Sequence, residues 1–248
     1  MTEFLTKLDI IDKELNNKII HKQIEEVKQI DQAVAKHTVL ESAPSGLGIL
    51  PDQFEEILEE LGDDQQRKLK IAQNMLDSVR QYLSLKYGVW SLPNLETALA
   101  IKNEFNVHTA LEIMSGNAYW SKAFKEVGIK SVATDSLEWA KSSETGQNGF
   151  VTVENLSATD AIKKYPDFDI ILCSWSPNFG HSDIDVIKVW KRISSSKLFF
   201  IGEKEGATNS TEFWQKVSFI NSSSLKRINE TFPSYDFIDE KIFEIDRI

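Results

Sequence analysis

The chain has 248 residues, 41% hydrophobic and 27% charged, which suits one medium domain with an appendage or two small ones, large enough to bury a full core without staples. Its net charge of −10 leaves no reason to expect a basic face, so bare DNA or RNA is not the expected partner. A single cysteine, Cys173, rules out an intramolecular disulfide and a cysteine-based zinc site; no apolar run reaches the roughly 18 residues of a membrane span, and the N-terminus lacks the layout of a signal peptide, so a cytoplasmic setting with no membrane contact is expected.

Residues 1–90 read as a helical N-terminal region. Leu5, Leu8, Ile11, Leu15, Ile19, Val27, Ile30 and Val34 recur mostly at three- and four-residue steps, the stripe of one amphipathic helix. The segment 42–51, with two glycines and two prolines, predicts a loop. Asp52 and Glu55 have the form of a capping box that opens a short helix to Leu61, with Gly62 as its stop. A second run, Asp63 to Leu85, carries Leu69, Ala72, Met75, Leu76, Val79 and Leu83 on one face. Such a region can cover a site, shape an acceptor pocket, pack on its own domain or pair two copies into a homodimer.

Residues 91–248 change pattern to short apolar runs alternating with helical stretches. Strands are expected at 109–113, 131–134, 150–153, 169–174 and 197–201, with two closing strands at 225–232 and 241–248. Helices are expected at 119–127, 184–193 and 211–217. The run at 169–174 is continuously apolar, the mark of a central strand. Leu225-Lys226-Arg227, the one short basic cluster, is expected at a solvated strand end. The alternation predicts an α/β fold: a doubly wound, mostly parallel, seven-stranded Rossmann-like sheet preceded by the N-terminal helices.

In such folds a ligand sits at the carboxyl ends of the strands, where strand order reverses. The first strand ends Glu112-Ile113-Met114-Ser115-Gly116-Asn117-Ala118-Tyr119-Trp120. Its small residues permit a tight turn and close backbone approach, and the next helix aims its first amides into the same crevice. Asp135 ends the second strand about twenty residues on, where an acid can hydrogen-bond ribose hydroxyls. Met114 and Ala118 stand where a dinucleotide loop would have glycines, which speaks against a pyrophosphate ligand. The histidines lack ligand spacing, so no metal is expected.

Tyr87-Gly88-Val89-Trp90-Ser91-Leu92-Pro93, the loop from Glu112 to Trp120, Leu172-Cys173-Ser174-Trp175-Ser176-Pro177 and Phe200-Ile201-Gly202-Glu203 together resemble a class I methyltransferase-like family. That family has Y-x-W-x-x-P, E-I-G-x-G-x-G-Y-W, L-x-x-W-P-P and I-G-E segments. The resemblance implies S-adenosylmethionine as cofactor, bound by Glu112, Met114, Gly116, Tyr119, Trp120, Asp135, Ser136 and Ser174. Asn155 and Leu156 would lie by the adenine, or Asp160 and Ala161 in another register. Glu112 either approaches the methionine amino group or holds loop amides; Trp120 either walls the pocket or packs in the core. Ser174-Trp175-Ser176-Pro177-Asn178 is a partial match to the turn that aligns acceptor nitrogens in amino methyltransferases, with Phe179 in place of the aromatic. Candidate catalytic groups are Ser174, Trp175, His181 and Glu203. The expected function is methyl transfer from S-adenosylmethionine to an acceptor that is a small molecule, a protein or a nucleobase. The alternatives are a non-catalytic binding or scaffold protein of the same fold, and an NAD(P)-dependent oxidoreductase.

Overall fold

The computed structural model describes residues 2–141 and 143–247, so Ile248, the end of the predicted closing strand, lies outside the described residues. Where one long N-terminal helix is predicted, there are two, α1 (Glu3–Leu15) and α2 (Lys18–Ala35). Two adjacent asparagines cause the break. Asn16 closes α1 in the left-handed conformation at φ 47°, a position asparagine tolerates. The Asn17 side chain then caps α2 by accepting from the Ile19 and Ile20 amides. The break rotates the stripe, so Ile19 is exposed and Ile20 and Ile24 are buried in its place. Helix α3 (Pro51–Glu59) starts on Pro51, whose fixed φ suits the first helical position. Asp52 therefore makes no capping bond, and Gly62 precedes α4 (Asp63–Asp77) in extended conformation rather than stopping α3. Ser78 separates α4 from α5 (Val79–Tyr87), and its Oγ donates to the Met75 carbonyl at 3.0 Å.

Helix α6 (Leu95–Phe105), which apolar spacing does not announce, is capped by Asn94. It leads into β1 (Thr109–Ile113), α7 (Tyr119–Glu126), β2 (Lys130–Asp135), β3 (Val153–Asn155), α8 (Ala158–Lys164), β4 (Ile170–Ser174), α9 (Ser182–Ile193), β5 (Lys197–Glu203), α10 (Thr211–Lys216), β6 (Phe219–Ile220), α11 (Ser223–Glu230) and β7 (Glu240–Ile245). Two strand predictions are corrected. Residues 225–232 form most of α11, capped by Ser222, with Leu225 and Ile228 buried three positions apart at helical rather than strand spacing. The closing strand before β7 is instead the two-residue β6. The third strand starts at Val153, because Phe150 leaves the sheet to stack on Tyr119 at 4.0 Å.

The seven strands run in the order β3-β2-β1-β4-β5-β7-β6, with β7 antiparallel to both neighbours. The fold is thus the doubly wound α/β class, and strand order reverses between β1 and β4. Side chains alternate between two buried faces. Ala110, Ile170, Leu172, Phe199 and Ile201 pack beneath α6, α7 and α11; Leu111, Ile113, Ile171, Cys173, Leu198 and Phe200 pack beneath α8, α9 and α10. The N-terminal helices join the first of these faces, sharing one apolar cluster from Leu5 and Ile20 through Leu76 and Leu83 to the strands.

One charged group also ties them there. Arg80 of α5 is 3% exposed. Its Nε and Nη2 donate to the two carboxylate oxygens of Asp236 at 2.7 and 2.8 Å, and its Nη1 donates to Glu240 Oε2 of β7 at 2.8 Å and to the Trp90 carbonyl. Its planar face lies between the Trp175 and Tyr235 rings, at 4.6 and 4.2 Å from their centroids. Removing one partner of such a buried group leaves the others as unpaired charges, a loss of about 3–5 kcal/mol. Arg80→Ala is expected to lose that much in denaturant titration. Arg80→Lys is expected to recover only part of it, because an ammonium cannot reproduce the planar fork.

Candidate functional site

The reversal between β1 and β4 opens a cleft of about 910 Å³ at the carboxyl ends of the strands. The loop after β1 forms its floor. Met114, Gly116 and Ala118 all take the left-handed backbone, at φ 51°, 52° and 60°. This is the alternating pattern for which glycine is the ordinary residue; a side-chain-bearing residue there costs about 1–2 kcal/mol. The backbone of a glycine-rich loop is therefore kept although two glycines are not. Met114 accommodates its side chain by turning toward the sheet, with Sδ 3.8 Å from Cys173 Sγ, and packs on the apolar cluster under β4. The cleft above stays open.

Asp135 organises this loop from the end of β2. Its Oδ2 accepts from the Gly116 amide at 2.9 Å and its Oδ1 from the Leu137 amide at 2.7 Å, while Leu137 itself is left-handed at φ 56°. Asp135 borders the cleft, and each carboxylate oxygen, accepting one bond from these amides, has a lone pair to spare. Glu112, one strand inward, is 1% exposed, and its Oε2 accepts from the Ser121 amide in the first turn of α7 at 2.7 Å. It holds that helix start in place. Burial, with a smaller contribution from Asp135, pushes its carboxyl up to about 7. Ser115 Oγ is buried beside the cleft with no partner among the described residues.

Two predicted binding residues have structural duties. Tyr119 stacks on Phe150 and donates its hydroxyl proton to the Thr38 carbonyl at 2.7 Å. Trp120 is a core residue, packed on Phe124 and Phe232, with Nε1 donating to Ser91 Oγ at 3.1 Å. Both still touch the cleft, as do Ser136 and Ser174. Asn155 and Leu156 do not line it, nor do Asp160 and Ala161. Asn155 pairs with Asp135 in the sheet and Leu156 donates to the Asp135 carbonyl, so the chain reaches the cleft one step later, at Ser157, Ala158 and Thr159.

The predicted catalytic groups separate as well. His181 precedes α9 on the surface, with Nδ1 3.4 Å from Glu212 Oε2, and stands outside the cleft lining. Glu203 turns back on its own loop, where its Oε2 accepts from the Ala207 amide at 2.7 Å. Trp175 is central. Left-handed at φ 56°, it donates its Nε1 to Glu240 Oε1 at 2.7 Å and stacks on Trp90 with centroids 5.4 Å apart. Trp90 and Trp175 together wall the first cleft from a second of about 660 Å³.

Sequence reading missed Trp139, which lies over the loop. A side-chain carbon placed on Gly116 or Gly88 would come within 3.8 or 3.4 Å of its ring. It also missed how the segment from Tyr87 to Ser91 meets the loop: Asn117 Nδ2 donates to the Tyr87 carbonyl, alongside the Trp120–Ser91 bond. The histidine spacing hid one cluster. Asp12, His21 and Glu25 converge on the exposed face of α1 and α2, where His21 pairs with Asp12 and Lys28 with Glu25.

No protein-family model matches the chain, and no curated protein matches it. Among solved structures it is similar to magnesium protoporphyrin IX methyltransferase from Synechocystis with bound S-adenosylmethionine (13% identity, TM-score 0.40, covering 61% of this chain and 74% of that one). It is also similar to a SAM-dependent methyltransferase from Archaeoglobus fulgidus (13%, 0.39, covering 67% and 99%) and to ribosomal protein L11 methylase from Lactobacillus delbrueckii subsp. bulgaricus (12%, 0.37, covering 66% and 83%). At these scores the likenesses carry no functional argument.

The raised carboxyl of Glu112 has a signed consequence. Its folded value of about 7 stands above the ordinary 4.5, so between those pH values the folded chain holds a proton that the unfolded chain has lost. Stability then falls as pH rises through this window, by about 3 kcal/mol at most. Glu112→Gln is expected to match the native protein in urea unfolding at pH 5 and to exceed it at pH 8. Equal pH profiles for the two proteins would contradict the assigned burial of a charge-bearing group.

Proposed function

We propose that the chain is an S-adenosylmethionine-dependent methyltransferase whose first cleft holds the cofactor. The observation that carries this reading is the left-handed run at Met114, Gly116 and Ala118, held by the Asp135 carboxylate at the strand-order reversal. Backbone strain of this kind persists only where the surrounding structure enforces it, and it clusters at ligand sites. The cleft volume falls within the range of small-molecule sites, roughly 300–1,000 Å³. The unpartnered Ser115 hydroxyl offers a polar ligand group a partner.

In this reading the Ser115 hydroxyl meets the amino-acid part, the spare lone pairs of Asp135 take the ribose hydroxyls, and Trp139 with Ser157–Thr159 borders the base. S-adenosylmethionine supplies an activated methyl group: the acceptor's lone pair bonds to the methyl carbon as the carbon–sulfur bond breaks, the electron pair stays on sulfur, and the acceptor's proton passes to solvent. The protein's own contribution is mainly positional. Glu112 fixes the start of α7 beneath the loop, Asp135 fixes the loop, and the Trp90–Trp175 stack fixes the direction from which an acceptor approaches. A glycine-free first and third loop position does not by itself favour the scaffold reading, since the backbone those positions need is retained. The G-x-G-x-x-G loop of a nicotinamide enzyme is absent from the sequence.

Calorimetric titration with S-adenosylmethionine and S-adenosylhomocysteine is expected to show micromolar binding, and Asp135→Ala is expected to weaken it at least tenfold. NADH is expected to leave the melting temperature unchanged. Absence of binding at millimolar adenosyl ligand would overturn the proposal in favour of a non-catalytic protein of this fold.

A further inference from the structure

The second cleft is walled by aromatic rings from three separate segments: Trp90, Trp175 with Phe179, and Phe237. Trp90, Phe179 and Phe237 are 50%, 78% and 75% exposed. Large rings left open together in one concavity mark a binding site more often than an ordinary surface. The polar groups around them are unevenly signed. Asp77 and Asp236 line the cleft and Glu240 lies behind it, against a single cation among the described residues, Arg80. Arg80 is already spent, its fork on Asp236 and its third nitrogen on Glu240. Among the described residues no lysine lines the cleft.

Asp77 is the group without a partner. It accepts no hydrogen bond and makes no ion pair among the described residues. Burial, and then the neighbouring Asp236, push its carboxyl above the ordinary value. A half-buried carboxylate beside a second one gains most from an incoming cation, and the faces of open tryptophan and phenylalanine rings attract the same charge. An anion would meet two carboxylates and no free donor of positive charge.

We propose that this cleft binds a small organic amine, its cationic nitrogen at Asp77 and its apolar or aromatic body among Trp90, Trp175, Phe179 and Phe237. The volume of about 660 Å³ accommodates a molecule of one or two fused rings with a short chain. Because Trp90 and Trp175 border both clefts, the end of the molecule away from the amine faces the first cleft. On the reading of that cleft as the S-adenosylmethionine site, the amine-bearing molecule is the methyl acceptor.

Three probes of one shape and different charge test this: tryptamine (cationic), tryptophol (neutral) and indole-3-acetate (anionic), titrated calorimetrically into the full chain. Tryptamine is expected to bind at least tenfold more tightly than tryptophol, and indole-3-acetate most weakly. Asp77→Asn, which keeps the side-chain shape, is expected to bring tryptamine to the level of tryptophol. Phe237→Ala is expected to weaken tryptamine and tryptophol alike, with thermal melts showing that both variants fold. Absence of tryptamine binding, indole-3-acetate binding as well as tryptamine, or an unchanged charge preference in Asp77→Asn would each overturn the proposal. S-adenosylhomocysteine titrated in parallel separates the two readings. If it binds and tryptamine does not, the amine site falls and the cofactor site stands; the reverse result leaves an amine site beside a cleft of another use.

Discussion

The buried guanidinium of Arg80 is the constraint on which the rest of the site depends. It links an N-terminal helix to β7 through Glu240, to the loop before β7 through Asp236, and to the Trp90 carbonyl. Its flat face also supports the Trp175 ring. Glu240 serves two partners at once, accepting from Arg80 with one oxygen and from Trp175 Nε1 with the other. The orientation of the wall between the two clefts is thus set by a group that lies in neither reacting position. Burying one cation among carboxylates costs desolvation that the mutual attraction only partly returns; what the arrangement adds is a fixed geometry for three aromatic rings.

A second cost is local. Met114, Ala118, Leu137 and Trp175 are non-glycine residues in the left-handed region, and each follows or flanks the carboxyl end of a strand of the parallel core. The strain is held by specific bonds: Asp135 to the Gly116 and Leu137 amides, and the Ile201 carbonyl to the Trp175 amide at 2.9 Å. Strain collected at the carboxyl rim of the sheet, beside the cleft, is what pre-organisation looks like in a backbone. The apolar runs of β1, β4 and β5, buried on both faces, supply the rigidity that keeps it there.

The parallel core was legible in the sequence because its signals are local. Residues 109–113 and 169–174 are short apolar runs between polar turns, and their strands fall within a residue of the prediction. Elements whose signals are tertiary were not. Leu225 to Phe232 contains the β-tolerant residues of a strand, but the Ser222 cap and the packing of Leu225 and Ile228 on the sheet make it a helix. The break at Asn16 and Asn17 was lost in a hydrophobic stripe that happens to continue across it. At the site, Asp135 and the loop after β1 could be found from strand-end logic. Trp139 could not, because it reaches the cleft from an irregular segment with no periodicity. Asp77 and Arg80 could not either, because a helix face shows only that a residue is polar, not what lies opposite it.

The N-terminal helices do more than cover the sheet. Read along the sequence they look like an addition to a complete sheet domain. In space they and the segment that follows α5 contribute Ser84 and Gly88 through Ser91 to the first cleft, and Asn74, Asp77, Ser78, Arg80 and Gln81 to the second. The sheet alone offers a loop, an acid and a turn, features shared by many doubly wound proteins. Part of the charge and aromatic character that would distinguish one ligand from another comes from residues 74–90, as Asp77, Arg80 and Trp90, held against the sheet by Arg80; the rest comes from Trp175, Phe179, Asp236 and Phe237. The part of the chain that sequence reading left without an assigned role therefore completes both clefts, and the loops of the sheet domain meet it there with rings and a carboxylate of their own.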